Sequence, residues 1–136
     1  MSSASKDLTG GWDGTFDYPK GPGAGSATPF LATIKDSGGV IEGTIIEPHL
    51  YRPGRAHASV LGQRIGTSVH FSKSYEGAGE WYKSAVIYDG TLSDDGEMIS
   101  GEWSIGPIRG MFEMTRQPSA EELVEAKVEA AADLEL

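Results

Sequence analysis

The strongest signal along the chain is alternation. Residues 10–18 place Trp12, Phe16 and Tyr18 on one face of an extended segment and Asp13, Thr15 and Asp17 on the other. That is the period of two required by a strand with one buried face. Residues 28–35 repeat it with Phe30, Ala32 and Ile34 on one face, and Asp36-Ser37-Gly38-Gly39 has the residue types of a hairpin turn. Further strands are predicted over 40–47, 58–65, 67–75, 81–92, 97–105 and 108–116. Loops are predicted at 19–25, 48–57 and 76–80, with tight turns at 93–96 and 106–107. Short links make neighbouring strands antiparallel. Eight such strands in order close naturally into a barrel, which removes both exposed edges.

The pattern changes after residue 116. Ser119 and Glu122 form an S-x-x-E capping box, and Leu123, Ala126, Ala130 and Leu134 follow at helical spacing. The predicted fold is therefore all-β: an eight-stranded antiparallel up-and-down β-barrel with a C-terminal α-helix. A flat meander or a sandwich is the structural alternative. The expected organisation is a disordered N-terminus over residues 1–7, a barrel domain over 8–116 and an acidic helix over 117–136.

Composition sharpens this picture. The chain has 136 residues, which is one domain's worth. Its 19 glycines are about twice the usual ~7% share and read as tight turns between many short strands. No Cys is present, which excludes disulfide scaffolds, zinc ribbons and thiol catalysis. The formal charge is −9, which argues against a nucleic-acid partner. Residues 117–136 hold six of the acids and one base, so much of the acidity belongs to the tail. No run of about 18 apolar residues suggests a membrane span. Met1 to Lys6 lack the apolar stretch of a secretory signal, so a cytoplasmic location is expected.

Several segments resemble known barrel families. Leu8-Thr9-Gly10-Gly11-Trp12 is similar to the first strand of avidins, and Gly10-x-Trp12 also resembles the start of lipocalins. Residues 84–90, from Ser84 through Tyr88 to Gly90, resemble the avidin strand whose Ser, Thr and Trp line the ligand site. Ile99 to Trp103 and Ile108 to Met114 resemble the last two strands. The resemblance covers most of residues 8–116 and implies an avidin-like or lipocalin-like calycin barrel with Trp12 inside its floor. It does not extend to biotin chemistry. The polar positions that would meet biotin are here Gly14, Ile45, Glu47 and Phe112. A buried ureido group without partners costs about 1–3 kcal/mol per unsatisfied group, so a non-biotin ligand is implied.

On the strand parity above, the inward face carries Trp12, Tyr18, Phe30, Ile34, Ile45, Glu47, Phe71, Lys73, Ser84, Val86, Tyr88, Trp103, Phe112 and Met114. An aromatic lining with few polar groups suits a small-molecule pocket, although small barrels are also packed solid. Glu47, Lys73, Ser84 and Tyr88 need partners if fully buried, unless Glu47 and Lys73, which lie near strand ends, reach solvent at the mouth. The 48–57 loop concentrates His49, Tyr51, Arg52, Arg55 and His57. It reads either as a lid whose Arg52 and Arg55 receive an anionic group or as a solvated turn.

The expected function is binding of a small hydrophobic or aromatic molecule. The expected ligand residues are Trp12, Tyr18, Glu47, Arg52, Arg55, Lys73, Ser84, Tyr88, Trp103 and Phe112. Neither cofactor nor metal is expected, and no enzyme motif is present. Two alternatives remain. One is acid–base chemistry at the mouth through Glu47 and Tyr88. The other is protein interaction through the wall or the acidic helix. Trp81 falls on the outward face of its strand with Ala85 and Ile87. It is either an interface residue or covered by the C-terminal helix, and a homodimer with Trp81 near the contact is expected.

Overall fold

The computed structural model describes residues 7–17, 27–48, 54–76 and 85–118, together with Val124, Lys127 and Val128. Eight strands follow one another: β1 (Gly10–Asp17), β2 (Ala27–Ser37), β3 (Val40–Pro48), β4 (Arg55–Ile65), β5 (Ser68–Tyr75), β6 (Val86–Leu92), β7 (Met98–Ile105) and β8 (Ile108–Arg116). Each pairs antiparallel with the next, and β8 returns to β1, so the sheet is a closed barrel. The closed form settles the choice against the open meander and the sandwich. The helix expected over 117–136 falls almost wholly outside the described residues. Gln117 continues the β8–β1 seam, donating its N–H to the Gly11 carbonyl at 2.9 Å.

The alternation read from the sequence sets the inside of the barrel. Trp12, Phe30, Ile34, Ile45, Phe71, Val86, Tyr88, Trp103, Phe112 and Met114 are all buried. Most strand ends fall within a residue or two of expectation, β6 begins at Val86, and two differences matter to the argument. β2 runs on to Ser37, so Asp36 is an inward-facing strand residue and not a turn residue. β4 begins at Arg55, three residues early, because 55–57 pair with 46–48 of β3 and shorten the expected loop.

The glycines also need a second explanation. Gly38 and Gly66, with φ of 62° at each, serve turns as expected. Others face inward in mid-strand and make room for rings. A methyl group at Gly14 would lie 2.1 Å from Phe30 Cζ, and one at Gly110 would lie 2.5 Å from Trp103 Nε1. Large rings on one strand thus rest on glycines of the next, the interdigitation a dense core requires.

The two ends of the barrel are built differently. One end, the floor, is closed by the short turns at 38–39 and 66–67, the 93–97 link and the segment before β1. There Leu8 is fully buried, and Trp12 donates its Nε1–H to the Leu8 carbonyl at 2.9 Å. The Arg116 guanidinium lies 4.5 Å from the centre of a Trp12 ring and donates to the carbonyls of Gly96, Asp7 and Thr9. Asp36 accepts from the Leu8 N–H at 3.0 Å, the Gly39 N–H at 2.8 Å and Arg64 Nε at 2.7 Å. Burial pushes the Asp36 carboxyl up, but these hydrogen bonds outweigh it and hold the group below its ordinary range. The opposite end, the mouth, carries the turn at 106–107 and the C-terminal ends of β1, β3 and β5.

Candidate functional site

Just inside the mouth, the inward parities of β3 and β5 bring Glu47, Lys73 and Tyr75 together. The strands are not neighbours, since β4 lies between them. The meeting is possible because β4 presents Ala56 and Ala58 at this level, opposite Glu47 and Tyr75 respectively. Lys73 Nζ lies 3.0 Å from Glu47 Oε2, and the Tyr75 hydroxyl donates to Glu47 Oε1. Lys73 is 1% exposed and Glu47 3%. Of the two outcomes open to them, exposure at the mouth or burial with partners, the structure shows the second.

Aromatic rings enclose the pair. Lys73 Nζ sits 4.8 Å from the Phe16 ring centre, 4.7 Å from that of Tyr75 and 5.4 Å from that of Tyr88. Ring faces attract a cation by about 0.5–2 kcal/mol each, which offsets part of its lost hydration. Burial still lowers the Lys73 pKa, an effect the Glu47 carboxylate opposes by charge and hydrogen bond. Tyr88 stacks on Phe71 at 4.7 Å, and Phe112 meets Tyr88 edge-on at 4.9 Å. Trp103 meets Phe16 edge-on and donates Nε1–H to the Asp17 carbonyl at 2.9 Å. Two groups of rings, Phe16 with Phe30 and Trp103 and Phe71 with Tyr88 and Phe112, thus lie in the interior, and Lys73 Nζ lies over rings of both.

The expected site residues divide accordingly. Glu47, Lys73, Tyr88, Trp103 and Phe112 lie in or against this half of the interior. Trp12 is inside too, but it belongs to the floor with Arg116. Arg55 starts a strand, is exposed and lines an outer depression of about 660 Å³ with Thr15, Leu31 and Ile46. Tyr18, Arg52 and Ser84 lie outside the described residues, as do His49 and Trp81. At the wall expected to mediate dimer contact, Ala85 and Met111 are exposed and Ile87 is half-buried. His70 faces outward and meets Asp89 across the β5–β6 pair. Tyr75 and Phe16 were missing from the expected ligand set, although Tyr75 shares the parity of Phe71 and Lys73.

Among the described residues no cluster of His, Asp and Glu is arranged to hold a metal ion, and no helix is long and apolar enough to cross a membrane. No protein-family model matches the chain, and a search of curated proteins finds no match.

Proposed function

We propose that the protein is a small-molecule-binding barrel. Its ligand is an apolar or aromatic molecule that enters from the mouth, lies against Phe16, Tyr88 and Trp103 and sets one polar group against Glu47 and Lys73. The observation that carries this reading is the buried Glu47–Lys73 pair within an otherwise ring-lined interior. Two buried charges add little net stability, since desolvation consumes most of their attraction. An apolar pocket with a few convergent polar groups is, in contrast, the usual form of a ligand site. The likeness of several strands to avidin-like and lipocalin-like barrels supports the same reading, because those barrels take ligands from one open end. The absence of biotin's polar partners from the matching positions points to a different ligand.

Titration with cinnamyl alcohol and with a panel of larger aromatic probes, followed by tryptophan fluorescence, tests this. Saturable quenching with one site per chain is expected, because Trp103 borders the proposed pocket. Tyr88→Ala should weaken binding about tenfold or more, in proportion to the lost ring contact. Absence of saturable binding by every probe, or binding indifferent to Tyr88→Ala, would overturn the reading.

A further inference from the structure

Lys73 offers more than a charge. It is a primary amine, almost fully buried, with a carboxylate 3.0 Å from its nitrogen and aromatic faces around it. We propose that Lys73 captures an aromatic or conjugated aldehyde as a covalent imine, with Glu47 carrying the protons. The inference rests on the binding reading above and names the ligand class for that same site.

The chemistry balances without any further reagent. Glu47 Oε2 takes a proton from the Lys73 ammonium, and the nitrogen lone pair then attacks the aldehyde carbon. The carbonyl π electrons move to oxygen, which gains a proton as nitrogen loses one, giving a carbinolamine. Glu47, now protonated, donates to the departing hydroxyl, which leaves as water while the C=N bond forms. One ammonium and one aldehyde become one protonated imine and one water, and Glu47 ends as the carboxylate that pairs with it.

Three features of the site favour this sequence. Burial disfavours the ammonium and so frees the lone pair. The Tyr75 hydroxyl holds Oε1, which keeps Oε2 turned towards Nζ. The surrounding rings of Phe16, Tyr75 and Tyr88 suit a flat conjugated group and exclude the water that would reverse the condensation. Lys35, by comparison, is an exposed strand residue.

The full chain would be incubated with less than one equivalent of trans-cinnamaldehyde, reduced with borohydride and mapped by mass spectrometry. Cinnamyl alcohol, which cannot form an imine, would be titrated in parallel. The expected result is a reduced adduct concentrated on Lys73. It should be absent from Lys73→Arg, which keeps the charge, and formed at least tenfold more slowly in Glu47→Gln. The pattern should be lost when the chain is unfolded in urea before labelling. If the alcohol binds but the adduct is missing from Lys73, or is spread over the lysines as in the unfolded chain, the imine inference fails and the binding reading stands. If neither the aldehyde nor the alcohol binds, the imine inference fails, and if the larger aromatic probes do not bind either, the binding reading fails with it.

Discussion

At the floor, Asp36 is held by two backbone N–H groups and by Arg64. At the mouth, Glu47 is held by the side chains of Lys73 and Tyr75. Both carboxylates are buried, yet their partners differ in kind. The backbone donors at Asp36 come from Leu8 in the segment before β1 and from Gly39 in the β2–β3 turn, so this carboxylate ties separate segments into one closed end. The donors at Glu47 are side-chain tips that can change rotamer without moving a strand. Fixed partners suit architecture, and replaceable partners suit a site that must receive something else.

Removing Asp36 should produce the largest effect. Asp36→Ala leaves two buried N–H groups without an acceptor, each costing about 1–3 kcal/mol, and releases Arg64. A loss of about 4 kcal/mol in urea unfolding is expected. A loss below about 1 kcal/mol would show that the floor does not depend on this carboxylate.

The mouth pair should respond to single and double substitution in opposite ways. Lys73→Met alone strands a buried carboxylate and should cost about 3 kcal/mol. Glu47→Gln combined with Lys73→Met removes both charges while keeping an acceptor for Tyr75. It should restore stability to within about 1 kcal/mol of wild type. If the double variant is as unstable as Lys73→Met, the pair is structural, and the distinction between the ends disappears.

The smallest effect is in pH dependence, which has the same sign at both ends but falls in different pH windows. The lowered pKa of Asp36 means that its contribution is complete above the ordinary carboxylate range. That contribution is lost as pH falls through the lowered value. The lowered pKa of Lys73 means that the unfolded chain holds the extra proton between the lowered value and 10.5. Across that window the stability of wild type relative to Lys73→Met should rise with pH. Parallel urea titrations of wild type, Asp36→Asn and Lys73→Met across pH would read both slopes. A Lys73 difference that falls with rising alkalinity would contradict the assigned direction.

Much of the barrel was legible because side-chain parity is a local property. Trp12, Phe71 and Trp103 alternate with polar or glycine neighbours, and Phe30, Tyr88 and Phe112 share the parity of other apolar residues on their strands; each is buried as that parity requires. Lys73 was legible as inward for the same reason, but its pairing with Glu47 was not. Their contact passes over β4 and depends on register and on the small Ala56 and Ala58, none of which one strand's sequence displays. Asp36 was misread because its neighbours Ser37, Gly38 and Gly39 carry a strong turn signal, which masked its parity with Ile34. The mid-strand glycines were misread for a related reason. Glycine signals both a turn and a space beneath a ring, and Gly110 serves as the second only because Trp103 lies across it in the folded sheet.

The seam between β1 and β8 has a consequence for the protein's synthesis. Trp12 pairs with Arg116 and Phe16 with Phe112, so the first strand made waits for the last. Until residue 116 has emerged from the ribosome, β1 presents an unpaired edge, and an incomplete chain exposes aromatic rings that closure will bury. Such an edge can pair with another nascent chain as readily as with its own. A pause after β7 has emerged and before β8 has should therefore lower the soluble yield more than the same pause earlier in the chain, when fewer rings are exposed.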